Sequence, residues 1–272
     1  MLGSLVIIYP TTHEGGELVL RHKDQEWKVG ANSLTSSQSS PSLAYVAFYS
    51  DIEHEVLKVN NGRRVTVTYN LYLVDPMLKP AAPVVAPNFK SVSNFHTTLQ
   101  RLLKSPEFLP TGGTLGFGLA HLYPVTPETK LQGMTSYLKG EDAHVYRACR
   151  ELQLQPSLQM IYDDYMSDLG YGIMLDKIVL GPSYDYDAES YESAVMGLGG
   201  VSVNKTESAA LEYSHWADDE DNEREFITWI SPFNGRNQLQ DIRMAYGNEV
   251  SADFIYCSPC LIVRVASASD RV

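Results

Sequence analysis

The residues best placed to do chemistry lie between Leu43 and Val74. His54 supplies an imidazole, which can ligate a transition metal or move a proton near neutral pH. Ten residues later Arg64 supplies a guanidinium, whose planar fork matches a carboxylate in bidentate fashion. Thr66 adds a hydroxyl two positions further on. An imidazole at one end and a cationic fork at the other could hold a small diacid between them.

The elements that must position these groups read as three strands, at about 43–50, 54–59 and 63–74. Asn60-Asn61-Gly62 between two β-rich runs is a hairpin signal, because asparagine and glycine accept positive φ. That turn would pair residue 58 with 64, 56 with 66 and 54 with 68. Strand side chains alternate faces, so His54, Val56, Lys58, Arg64, Thr66 and Thr68 would share one face. Arg63 would point the other way. His54 and Arg64 would then be offset by about four residues, roughly 13 Å along the strands. A polar inner face of this kind suits a barrel or sandwich around a pocket. The opposite face, Val65, Val67, Tyr69 and Leu71, is expected to pack against core or covering helices.

Upstream, residues 4–9 read as a strand ended by Pro10, and Gly15-Gly16 marks a turn into a strand at 17–22. A short strand at 27–29 and a serine-rich loop at 30–42 follow. Four prolines between Pro76 and Pro87 predict an extended linker. Beyond it the pattern predicts helices at 88–104 and 141–154. Strands are expected at 112–119, 226–230 and 254–265. The fold class expected is α+β, with residues 1–75 as a β core, 76–110 as linker and helix, and 111–272 as a mixed C-terminal region.

The chain has 272 residues and a formal net charge of −12. That balance argues against a general nucleic-acid binder, which needs a basic face. No apolar run approaches the roughly 20 residues that span a bilayer, and MLGSLVIIYP lacks a basic leader, so an intracellular protein is expected. Three cysteines do not make a disulfide framework. Cys257-Ser-Pro-Cys260 has no second pair to complete a zinc site, and its apolar setting predicts buried thiols. His13 reads as a turn residue and His121 as a structural one. The acidic run 218–225 matches no calcium-loop spacing and reads as a solvated loop.

The segment HEVLKVNNGRRVTVTYNLY resembles the last two core strands of the Fe(II)- and 2-oxoglutarate-dependent dioxygenases. Within that superfamily it is similar to the prolyl 4-hydroxylase-like group, specifically a fungal-type branch. Gly15-Gly16-Glu17-Leu18 looks like that group's GG-x-L segment, and FYSDIEHEV, GGTLGFGLAHLYP and YGNEVSADFIYCS look like further parts of the branch. The resemblance implies a double-stranded β-helix (jelly-roll) core, present here in part and without its first strands. It implies His54 as the distal histidine of an iron triad. It implies Arg64 as the holder of the C5 carboxylate of 2-oxoglutarate, with Thr66 sharing it. The implied cofactors are Fe(II) and 2-oxoglutarate, and the implied activity is hydroxylation of a protein or small-molecule substrate.

In that family the other histidine and the carboxylate come from an H-x-D motif upstream of the GG-x-L segment. None precedes Gly15 here, and the family place for it falls before residue 1. The expectation is therefore a truncated chain that lacks this half of the iron site. Asp51, His13 and His22 are the residues that could stand in. The competing expectation is a non-catalytic protein that keeps the β core as an interaction surface.

Overall fold

In the computed structural model the described residues are 1–22, 24–30, 43–72, 90–163, 170–179, 191–206, 224–233, 237–246 and 250–271. The expected serine-rich loop, almost all of the proline-rich linker and most of the acidic run lie outside them. The chain divides into two compact units, Met1–Val85 and Ala86–Val272. The whole is mixed α+β.

The first unit is built on β1 (Gly3–Ile8), a run of β-branched and aliphatic residues that suits a central strand. β1 pairs antiparallel with β5 (Ala44–Tyr49) on one side and β8 (Thr66–Leu71) on the other. Its register sets Ile8 opposite Ala44 and Thr66, Val6 opposite Val46 and Thr68, and Ser4 opposite Phe48 and Asn70. Ser4, Val6 and Ile8 are all buried, which marks theirs as the inner face of this sheet. The outer face is apolar but open: Val65 is 45% and Tyr69 52% exposed. The helices expected to cover it are not in this unit among the described residues.

A second three-stranded sheet runs in the order β4 (Gln25–Val29), β3 (Leu18–His22), β6 (Glu53–Val56). Leu18 and Leu20 are buried on the face that also carries Val56 and His54, their partners across the ladder. A short ladder joins β2 (His13–Gly15) to β7 (Val59–Gly62).

This overturns the expected hairpin. The three strands expected after Leu43 are four, and no two of them pair with each other: β5 and β8 pair with β1, β6 with β3, and β7 with β2. Residues 54 and 68, or 58 and 64, are therefore not cross-strand partners. Gly62 does adopt positive φ (+78°), as the turn signal requires. The conformation serves close approach instead of chain reversal. A Cβ on Gly62 would sit 2.2 Å from the carbonyl oxygen of Thr12, so only glycine lets β7 lie against residues 12 and 13.

The second unit is an eight-stranded sheet with few helices. Its path runs β13 (Arg224–Glu225), β12 (Val201–Asn204), β11 (Tyr171–Leu175), β10 (Ser157–Asp163), β16 (Val250–Val265), β9 (Gly113–Gly118), β14 (Ile227–Ser231). β15 (Leu239–Tyr246) pairs with the first part of β16. Only Phe226 separates β13 from β14, so the two ends of the path are consecutive in the chain and the sheet nearly closes on itself like a barrel. The Asn204 side chain completes the seam. Its Oδ1 accepts from the Ile227 amide at 2.7 Å and its Nδ2 donates to the Ile227 carbonyl at 2.9 Å. Glu225 adds a second clasp, accepting from Thr114 Oγ1 and from Arg264 through two nitrogens.

This sheet is apolar on both faces. Met160, Tyr162, Leu261 and Val263 belong to one buried cluster, and Ile161, Cys260 and Ile262 to the other. Helices α1 (Lys90–Leu103), α2 (Leu131–Met134), α3 (Gly140–Glu151) and α4 (Tyr191–Gly197) contribute to the first cluster. The helices at 90–103 and 140–151 correspond to the two expected at 88–104 and 141–154. No helix among the described residues is long and apolar enough to cross a membrane.

Candidate functional site

The site is built from the inner faces of the first unit. His54 stands on β6 and meets Phe48 of β5, the ring centroids 4.8 Å apart and tilted by 50°. Phe48 lies on the same face of its sheet as Thr66, Thr68 and Asn70, by the register through Ser4, Val6 and Ile8. His54 thus meets, through Phe48, the face that carries Thr66, although Phe48 stands opposite Ser4 and Thr66 opposite Ile8, four positions along β1. His54 itself is exposed, and its Nδ1 lies 3.1 Å from the Ile52 carbonyl oxygen, which orients the ring.

Arg64 lies just before β8. It is half-buried while its neighbour Arg63 is exposed, the in-out difference expected from alternation. Arg64 Nη1 donates to Thr66 Oγ1 at 3.4 Å. No carboxylate pairs with Arg64 among the described residues. Burial alone pulls its pKa below the ordinary value, the mark of a cation that has lost water without gaining a counter-ion. Arg21 provides the contrast within the same unit. From β3 it meets Glu26, Glu53 and Glu55, and the hydrogen bonds it donates to Glu55 and then Glu26 push its pKa up. One arginine is paired with carboxylates at the surface; the other has no carboxylate partner among the described residues.

The paired glycines have distinct jobs. Both adopt positive φ, +75° at Gly15 and +74° at Gly16. A Cβ on Gly15 would sit 2.3 Å from the Lys58 carbonyl oxygen, so Gly15 lets backbone meet backbone. A Cβ on Gly16 would meet side chains instead: Val59 Cγ2 at 2.8 Å, Arg64 Cδ at 2.9 Å and His13 Cδ2 at 3.6 Å. Gly16 is thus the floor on which the aliphatic stem of Arg64 rests, with His13 beside it. His13, expected as a plain turn residue, is buried.

The iron-ligand expectation fares differently. Among the described residues no three His, Cys, Asp or Glu side chains come together in a metal-holding group. The chain does contain one H-x-D spacing, His22-Lys23-Asp24, so the motif is not missing outright; it lies downstream of the glycine segment instead of upstream. His22 ends β3 on the face that carries Leu20 and His54, but Asp24 is exposed in the turn to β4. Asp51, His13 and His22 do not assemble a triad around His54. Among the described residues no donor set matches the two histidines and one carboxylate on one octahedral face that hold Fe(II) in such enzymes.

The second unit holds a polar cluster that sequence reading missed. Asp142, on α3, accepts hydrogen bonds from the Ala120 amide (2.8 Å), the His121 amide (3.1 Å) and Tyr123 Oη (2.8 Å). Burial raises its pKa, and those hydrogen bonds work against the rise. Asn237 accepts from the Tyr123 amide and donates to the His121 carbonyl, and Lys139 donates to the Leu122 carbonyl at 2.8 Å. This network pins residues 120–123 beside the helix, and His121 is buried there. No motif announces it, because the partners are backbone groups.

The three cysteines are buried and none is in a disulfide. Cys257 and Cys260 fall in the two clusters on opposite faces of the sheet, since an odd spacing in a strand points two side chains apart. No protein-family model, curated protein or solved structure matches this chain.

Proposed function

We propose that the chain belongs to the Fe(II)/2-oxoglutarate dioxygenase superfamily, in its prolyl 4-hydroxylase-like, fungal-type branch, and that its first unit binds 2-oxoglutarate. The observation that carries this reading is Arg64, a half-buried guanidinium beside the Thr66 hydroxyl with no carboxylate partner among the described residues. Such a group is stabilised by a bound carboxylate, and the fork geometry favours a bidentate one. The sheet topology supports the same reading. Strands β1, β5 and β8 form one layer and β3, β4 and β6 the other, so the chain passes back and forth between two sheets, as a jelly-roll core does.

In a complete member, bound iron would couple oxidative decarboxylation of 2-oxoglutarate to hydroxylation of a substrate C–H. In this chain the residues do less. Arg64 and Thr66 fix one carboxylate of the co-substrate, and His54 meets the face that carries Thr66 through Phe48. The described residues do not form an iron site, and no redox step is assigned to them. That mismatch favours the second reading, a non-catalytic protein that binds a 2-oxo diacid. The test is titration of 2-oxoglutarate into the protein with and without Fe(II). Binding that needs no iron supports the Arg64 subsite. Absence of binding under both conditions refutes it. Iron-dependent turnover of 2-oxoglutarate to succinate would restore the enzyme reading over the binding one.

A further inference from the structure

We propose that the second unit carries a site of its own for a small phosphate ester of a polyol, a sugar phosphate or a nucleotide, in an open cleft lined by α1, α3, β10 and the last described residues. The cleft measures about 1380 Å3, ample for a molecule of that size. It does not depend on the reading of Arg64, which belongs to the first unit.

Three cations on the cleft wall have no ion partner. Lys104 directly follows α1, and Arg150 lies in the last turn of α3. Both are exposed, and neither side chain pairs with a carboxylate among the described residues. Half-buried Arg271 comes from a third segment. Its Nη2 donates to the carbonyls of Phe108 and Leu109, while its Nε and Nη1 have no acceptor among the described residues. A fourth cation at the wall, Arg264, is held by Glu225. A helix C-terminus by itself favours one nearby cation. That does not account for two helices ending on one cleft with a third unpaired cation beside them. In a chain of net charge −12, such a group attracts an anion, and phosphate suits both ammonium and guanidinium donors.

The rest of the wall suits hydroxyl groups. Asp176 has no hydrogen-bond or ion partner among the described residues and stands beside Gln159, one step past the Met160–Leu175 pair. A carboxylate accepts from a hydroxyl, and an amide both donates and accepts. Asp270, also at the wall, accepts from Ser267 Oγ at 2.6 Å. Gln153 carries a separate mark. The Gln153 amide donates to the Arg150 carbonyl at 3.0 Å and the Leu154 amide to the Cys149 carbonyl at 2.9 Å, the paired bonds that close a helix around a left-handed residue. That place is usually glycine, yet here a glutamine with φ of +61° occupies it and lines the cleft. A side chain kept where glycine is cheaper is the kind of local strain that accompanies a binding site.

The test uses the whole chain, with ADP and glucose 6-phosphate as probes and adenosine and glucose as their phosphate-free counterparts. By calorimetry at least one ester is expected to bind with a Kd below about 1 mM, and its counterpart at least about tenfold more weakly. Which ester binds separates a nucleotide site from a sugar-phosphate site. Lys104→Gln and Arg150→Gln are each expected to weaken that ester about tenfold, the size of one charge-assisted hydrogen bond. Acetylation of Lys104 in the wild type, followed by mass spectrometry, is expected to fall on saturation. Three results would overturn the proposal: no binding of either ester, equal affinity for the phosphate-free counterpart, or an affinity unchanged in both Lys104→Gln and Arg150→Gln. Binding lost in Arg64→Ala but kept in those two variants overturns it as well, since the anion then sits in the first unit. Should the glutamine variants not fold, Lys104 acetylation in the wild type decides: protection by the ester supports the site, and no protection overturns it.

Discussion

A methyl group on Gly16 should be felt by Arg64, and the effect can be measured without any ligand. Alanine at position 16 must adopt the left-handed φ of +74°, which costs an L-residue about 1–2 kcal/mol. Its Cβ would also lie 2.8 Å from Val59 Cγ2 and 2.9 Å from Arg64 Cδ. Pushing two side-chain ends aside adds about 1 kcal/mol more. The expected loss for Gly16→Ala is therefore about 2–3 kcal/mol. Gly15→Ala is the control. It has the same φ penalty, but its Cβ meets the Lys58 carbonyl oxygen at 2.3 Å, the oxygen that also accepts the Gly16 amide. Backbone cannot step aside as a side chain does, so this loss should be larger, about 3–5 kcal/mol. Urea unfolding of the single variants and of each combined with Arg64→Ala then makes a double-mutant cycle. Removing the Arg64 stem should recover about half of that 1 kcal/mol in the Gly16→Ala background, the Val59 contact remaining, and nothing in the Gly15→Ala background. Additivity within about 0.2 kcal/mol for Gly16→Ala with Arg64→Ala would refute the contact between Gly16 and the Arg64 stem.

Other outcomes follow in the second unit. Asp142→Asn should lower stability by about 2–3 kcal/mol, since two backbone amides and Tyr123 Oη lose a full acceptor. Its pKa is raised in the fold, so the carboxyl contributes most stability at acid pH and loses it as pH climbs from the ordinary 3.8 through the raised value. The difference between wild type and Asp142→Asn, followed by thermal melts across pH, should carry that slope; a flat difference refutes it. Asn204→Ala breaks both seam hydrogen bonds to Ile227 and should cost about 2–4 kcal/mol by urea unfolding; a loss under 0.5 kcal/mol would mean the seam does not depend on this side chain. The native thiols should resist a disulfide reagent. Burial pushes Cys149 up to about 12 and raises Cys260 as well. Reaction within seconds before denaturation would contradict their placement.

Much of the architecture is legible in the sequence because it rests on local periodicity. β1, β3, β5 and β9 stand within a residue or two of their expected places, and alternation separates Arg63 from Arg64 correctly. Pairing is what the sequence misreports. Asn60-Asn61-Gly62 carries the composition of a tight turn, yet Gly62 is there so that β7 can touch Thr12, a contact between residues 50 apart in the chain. Positive φ reads the same whether it reverses a strand or lets two backbones meet. His54 meets the face that carries Thr66 only through the Phe48 ring and from a second sheet, not across one hairpin. His13 is illegible for a related reason. It is buried in a strand that pairs with β7, which is not near it in sequence. The Asp142 network is hidden because its donors are backbone amides, which every residue has.

The most direct test of the account is one calorimetric titration of 2-oxoglutarate into the wild-type chain and into Arg64→Ala. The account predicts saturable binding to one site in the wild type and a Kd weakened at least about tenfold in Arg64→Ala, with the fold intact by circular dichroism. No saturable binding in the wild type, or equal affinity in the two proteins, would contradict it.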